Sequence, residues 1–304
     1  MPLDLVSIGE PLLEFNQTKG SDDYRRGHGG DSSNCAIAAA RQGAKVGYFT
    51  ALGRDPFGDS FVELWGREGV DSAAVIRSAI APTAIYFITH GKGGHEFTYF
   101  RAGSAASRLT PADLPADTIG AARIVHASGI SQAISDSACD AVFAAFALAR
   151  ERGRKVSFDT NLRLKLWPLA RARAVMHEAA AQADYLFPSA DEATQLTGLE
   201  DPDAIVDFYL RLGAKVVALK RGKEGALVAD ARERHKIAPL NVPPVDATGA
   251  GDTFVGSFLA RVLAGDAIAD AGRYANAAAA LSTTVYGAVA SIPRAEQVRA
   301  ALAS

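Results

Sequence analysis

Cysteine is scarce in this chain of 304 residues, which holds only Cys35 and Cys139. Each lies in an alanine-rich stretch of helical pattern, which suits small buried thiols in a reducing compartment better than a disulfide framework. An excess of either charge is also missing. The formal net charge is -2, the sequence pI is near 6.3, and Lys and Arg are scattered, so there is no basic field to attract nucleic acid. No run of about 18 apolar residues occurs. The N-terminus MPLDLVSIGEP has an acidic Asp4 and no long apolar run behind a basic start, so a soluble, cytoplasmic protein is expected. The six histidines show no His-x-x-x-His spacing and no nearby cysteine pair, which argues against a zinc site. There is no Gly-x-Ser-x-Gly elbow for a serine nucleophile. GxGxxG is absent after the first strand, against a nucleotide-dependent oxidoreductase.

With 48% hydrophobic and 22% charged residues, the chain can bury a sizeable core. From about residue 120 short apolar runs alternate with amphipathic stretches, in the rhythm of parallel strands joined by crossover helices. Ala138, Val142, Ala145, Phe146 and Ala149 recur at helical spacing, with Gly153 placed for a C-terminal cap. The strand after them ends at Asp159. The N-terminal part starts alike, with strands LVSIG and KVGYFT around a helix from Ser32 to Arg41. Two segments differ, at about 10–26 and 83–103. In the second, AIYFITH and EFTYFRA flank Gly91, Gly93 and Gly94 and read as a hairpin. These segments predict a small β-sheet lid on a single domain spanning 1–304. A long helical stretch is expected from about Thr253 to Tyr286, and a last helix near Arg294.

The run VDATGAGDTFVGSFLARVLAG, 245–265, is the strongest chemical signal. Gly249, Ala250 and Gly251 carry little bulk, so successive backbone N–H groups can face one anion where a helix begins. It is not a GxxxxGK[ST] phosphate loop, because no Lys follows. A carboxylate at Asp252 repels a bound phosphate, yet it is useful there if it accepts a proton from an attacking hydroxyl. On residue chemistry alone a catalytic base and a helix N-cap are both open.

The DATGAGD run resembles the C-terminal signature of the PfkB, or ribokinase-like, carbohydrate kinases, and GHGGDSSNCAIAAARQGAKVGYFTALGRDPFG, 27–58, resembles their N-terminal signature. The resemblance spans essentially the whole chain. It implies a ribokinase-like α/β three-layer sandwich with a mostly parallel central sheet, ATP and Mg²⁺ as cofactors, and potassium as a candidate. Asp252 becomes the base, and the Gly249–Gly251 turn the anion hole. Paired Gly29 and Gly30 let the lid hinge, and Asn34 bonds sugar hydroxyls.

Three further stretches, IGEPLLEF (8–15), FTYFRAGSAASRLTP (97–111) and FDTNLRLKLW (158–167), look like 2-keto-3-deoxygluconate kinases rather than ribokinases. That resemblance implies transfer to the C6 hydroxyl of a sugar acid, in Entner–Doudoroff metabolism. Arg101 and Arg163 could each grip a carboxylate in a two-point fork. Tyr86 and Tyr99 would touch the sugar from the lid, and Gly30 and Asn34 from the main body. Arg163 could instead serve the triphosphate, Arg101 could be an exposed lid residue, and Tyr86 could be lid packing. A fructokinase or ribokinase-type activity is the rival within the family, and a non-catalytic sugar sensor the rival outside it. Lys220 and Gly222, in LKRGKEGALV, and Asn276 are nucleotide candidates. In FPSADEATQLTG, Glu192 could organise Mg²⁺ through water, while Ser189 stands where the family usually has Asn and Ala247 where it often has Thr. Lid strands offer free edges through which a homo-oligomer could form.

Overall fold

The computed structural model describes residues 2–303 apart from Lys19, Lys92 and Gly93, and leaves out the side chain of His95. Gly93, one of the glycines assigned to the hairpin turn, therefore lies outside the described residues. The large sheet has nine strands, in the order Arg234–Ile237, Ala226–Asp230, Val216–Lys220, Tyr185–Phe187, Lys155–Asp159, Ile124–Ser128, Leu5–Ile8, Val46–Phe49, Val70–Asp71. The pairings from Val216–Lys220 to Val70–Asp71 are parallel, and the two at the other edge are antiparallel. Strands covered on both faces read as unbroken apolar runs. Leu5–Ile8 is an instance, buried at every position. Val6 and Ile8 join one core cluster with Val142 and Phe146 of helix Asp136–Glu151 and Met176 of helix Leu169–Gln182. Leu5 joins the other, with Ile37 of helix Asp31–Arg41 and Phe258 of helix Ala250–Ala264. Helices thus cover both faces, giving the three layers expected. Cys35 and Cys139 are both free and buried.

The expected second sheet is present. Its four strands lie in the order Tyr24–Gly29, Leu12–Gln17, Ile85–Gly91, Gly94–Phe100, so the first segment runs to Gly29 rather than 26. Strands Ile85–Gly91 and Gly94–Phe100 pair antiparallel, as expected for the hairpin, with Tyr86 opposite Tyr99. Alternation along the strands sends Tyr86 and Tyr99 to one face, stacked at 5.5 Å between ring centroids. On the other face Phe15 stacks on Phe87 at 5.0 Å.

The single long helix expected over Thr253–Tyr286 is two helices, Ala250–Ala264 and Ile268–Ser282. Gly265 takes the left-handed conformation, with φ +101°, that closes the first. Arg261 folds onto Asp266 just past that cap, with both carboxylate bonds at 2.8 Å. Helix-forming, alanine-rich sequence on both sides of the break concealed it. No helix among the described residues is long and apolar enough to cross a membrane.

Candidate active site

In open parallel α/β sheets the carboxyl ends of the strands leave a crevice. Here the small sheet stands over that end and roofs a cleft of about 980 Å³. Strand Lys155–Asp159 delivers Asp159 and, beyond it, Asn161; strand Val216–Lys220 delivers Lys220; helix Ala250–Ala264 delivers Asp252. Of the residues singled out in the sequence, Gly30, Asn34, Tyr86, Tyr99, Arg101, Arg163, Glu192, Lys220, Gly249, Gly251 and Asp252 all line it. Ala250 is the first residue of its helix.

Two candidates fall elsewhere. Asn276, assigned to an adenine edge, donates to the Ala238 carbonyl at 3.0 Å and does not line the cleft. Gly222 sits in the turn after Lys220, with φ +54°, and does not line it either. Asn276 is a half-buried residue of helix Ile268–Ser282.

Asp252 is not an N-cap. That place belongs to Gly249, in the left-handed conformation at φ +76°, and Asp252 is the third residue of the helix. Its Oδ2 accepts from Asn34 Nδ2 at 2.8 Å, which ties the two signatures together across the cleft floor. The Asn34 Oδ1 is buried and has no protein partner, so a ligand hydroxyl could donate to it. The amides of Gly251 and Asp252 belong to the first turn, where a helix leaves N–H groups without intrahelical acceptors. Burial pushes the Asp252 carboxyl up to about 7; Asp31 and Asp159 add to the shift, while the Asn34 bond and Lys220 oppose it. A base in that range suits proton transfer near neutrality. If Asp252 is the base that the sequence resemblance implies, kcat/KM for the acceptor with Mg-ATP saturating is expected to fall as pH drops through about 7, because only the ionised form can take a proton. A flat profile from pH 6 to 8 would contradict it.

Lys220 anchors the other side. Its ammonium donates to Asp159 Oδ2 at 2.7 Å and lies 3.6 Å from where a Cβ on Gly251 would stand. Burial works against its charge, but Asp159 and Glu192 outweigh that and leave its pKa raised. Burial also lifts Asp159, to about 6 against the pull of Lys220. Asn161, at φ 34°, donates to Asp31 at 2.8 Å. Glu192 accepts from Thr160 at 3.0 Å and from Arg163 at 3.1 Å. Ser189 lines the cleft beside it.

Tyr86 is mostly buried, with Leu12, Ala84 and Ile88, so it packs within the small sheet and still lines the cleft. Its hydroxyl bonds Glu14. Arg101 is not an exposed residue: its side chain is 13% accessible and is paired with Glu10. Gly30, at φ +107°, passes so near Glu10 that a Cβ would meet the Glu10 carbonyl oxygen at 2.6 Å, so only glycine fits. Sequence reasoning missed Asp31, Asp159, Asn161, Glu10 and Glu14. Asp31 adjoins Gly30 in the N-terminal signature, and Asp159 and Asn161 stand in the FDTNLR run, so their signal was there.

The sequence pattern of pfkB family carbohydrate kinases matches residues 3–295. A 2-dehydro-3-deoxygluconokinase of Bacillus subtilis is 34% identical over 100% of this chain and 97% of its own length. Fructokinase-1 of Oryza sativa subsp. japonica is 33% identical over 95% of this chain and 94% of its own. A candidate ribokinase II of E. coli, solved with ATP and Mg²⁺, superposes with a TM-score of 0.92 at 27% identity, covering 99% of both chains.

Proposed function

The chain belongs to the pfkB family of carbohydrate kinases, and we propose that it transfers the γ-phosphoryl of ATP to the C6 hydroxyl of 2-keto-3-deoxygluconate. Identity alone does not select the substrate, since the 2-dehydro-3-deoxygluconokinase and the fructokinase are almost equally identical to this chain. The observation that carries the reading is that Arg101 and Arg163 line the same cleft as Asp252, a pairing that a sugar with a carboxylate at the far end would use. One feature favours the neutral-sugar rival: both arginines already hold protein carboxylates, Glu10 and Glu192.

In the proposed reaction Asp252 takes the proton of the terminal hydroxyl as that oxygen attacks the γ-phosphorus, and the bond to the ADP oxygen breaks in line. The Gly251 and Asp252 amides and the Lys220 ammonium face the charge that gathers on the transferring oxygens. Asn34 accepts from a sugar hydroxyl, and Tyr86 and Tyr99 cover the sugar from the lid. The lid excludes water, which would otherwise take the phosphoryl group. Among the described residues no group of three or more His, Cys, Asp or Glu side chains could hold a metal. Mg²⁺ needs only one or two carboxylates beside phosphate oxygens and water, and Glu192, with Asp159 near Lys220, supplies that donor set. When bound it would neutralise charge on the phosphates.

The test is ADP release from Mg-ATP with 2-keto-3-deoxygluconate, 2-keto-3-deoxygalactonate, gluconate, fructose, ribose and adenosine. Turnover is expected with the keto-deoxy acids, and preference for fructose or ribose would overturn the substrate. Arg163→Ala is expected to raise KM for the acid by about tenfold, the worth of a charged hydrogen bond, and to leave KM for ATP alone. Equal losses on both substrates would assign Arg163 to the triphosphate.

A further inference from the structure

Glu10 is a fully buried carboxylate that the proposed reaction does not use. It stands where the chain leaves strand Leu5–Ile8 for the small sheet, and Arg101 stands where the chain returns after strand Gly94–Phe100. Glu10 Oε2 accepts from Arg101 Nε at 2.8 Å and contacts Nη2, while Oε1 accepts from Ser104 Oγ at 2.7 Å. The Nη2 atom is buried. The Arg101 side chain lines the cleft and lies over the Tyr99 ring at 5.6 Å. Burial raises the Glu10 pKa, and Arg101 and Ser104 pull it back.

We propose that Glu10 is a positioning residue for the sugar: it grips the guanidinium from behind, so that Arg101 offers its remaining edge to the substrate at a fixed angle. A free arginine side chain would lose rotamer entropy each time it engaged a ligand, and Glu10 removes that cost before binding. It also cancels the full charge of Arg101, so the residue selects by hydrogen-bond geometry rather than by net attraction for any anion. Ser104 fixes Glu10 in turn, which locks both crossings between the two sheets in one register.

This rests on Arg101 touching the sugar, and a double-mutant cycle separates the two ideas. Glu10→Gln keeps shape and removes the charge; it is expected to raise KM for the best-used sugar about tenfold, with kcat and KM for ATP within about threefold. In an Arg101→Ala background the same change is expected to alter sugar KM by less than about twofold. Ser104→Ala, a milder disturbance of the same carboxylate, should raise sugar KM in the parent and not in Arg101→Ala; it supplies the reading if Glu10→Gln does not fold. Should Arg101→Ala alone leave sugar KM unchanged, the sugar contact fails and the proposal with it. Should Arg101→Ala raise sugar KM while neither Glu10→Gln nor Ser104→Ala does, only the proposal falls. Additive effects, or equal losses for sugar and ATP, would make Glu10 a structural brace and overturn it.

Discussion

Asp252→Asn is expected to cut kcat by at least ~10²-fold, the usual worth of a general base, while leaving the Kd for ATP within about threefold and the fold intact. The amide has nearly the same shape, and its oxygen can still accept the bond that Asn34 gives Asp252, so the cleft floor stays closed. What it loses is the capacity to take a proton. The same change is expected to stabilise the protein at pH 8. The folded-state pKa of Asp252 stands at about 7, above the ~3.9 of an unfolded chain, so the folded form holds a proton that the unfolded form has lost between those values. Stability from this group is therefore fully present below about pH 4 and declines as pH rises through about 7. Asparagine removes that decline, and the melting temperature at pH 8 should rise by about 2 °C or more. Turnover near that of the parent would remove Asp252 as the base. A melting temperature that falls at pH 8 would show that the carboxylate supports the fold instead of burdening it.

The layers were legible because each rests on short-range pattern. Unbroken apolar runs such as Leu5–Ile8 marked buried parallel strands, and aromatic, β-branched stretches flanking Gly91 and Gly94 marked the hairpin. The place of Asp252 in the cleft was legible because a carboxylate in a glycine-rich turn at a helix start stands out in the sequence. The break at Gly265 was not, because helix-forming, alanine-rich sequence resumes only a few residues after it. Pairings across the chain were not legible either. Nothing in the one-dimensional string says that Glu10 meets Arg101, 91 positions away, or that Asn34 meets Asp252, 218 positions away. The acidic neighbours Asp31 and Asp159 were passed over for a related reason: a single carboxylate in a motif carries little meaning until its partners Asn161 and Lys220 are in place. Nor could the sequence show that Asn276 donates to the backbone carbonyl of Ala238.

Lys220→Met should be the most damaging substitution to the fold of the cleft. Asp159 is 3% exposed and its carboxylate has Lys220 as a cationic partner at 2.7 Å. Removing one member of a buried pair leaves the other charge uncompensated, a loss of about 3 kcal/mol or more. For a chain of this size that corresponds to a melting temperature lower by ~5 °C or more at pH 7.5. The pKa of Asp159, already at about 6, would rise further, so part of the deficit should return when the pH is lowered to 5.5 and the orphaned carboxyl protonates. The double variant Lys220→Met with Asp159→Asn removes both charges and is expected to recover most of the stability, since neutral groups of similar shape replace the pair. Its turnover should stay low, because the ammonium that lies against Gly251 is still missing and Asp159, one of the two carboxylates proposed for Mg²⁺, is gone as well. Stability and catalysis thus separate in one pair of proteins. If the double variant regained turnover along with its melting temperature, Lys220 would be a counter-charge for Asp159 and nothing more; if it regained neither, Asp159 would be needed in the cleft for more than its pairing with Lys220.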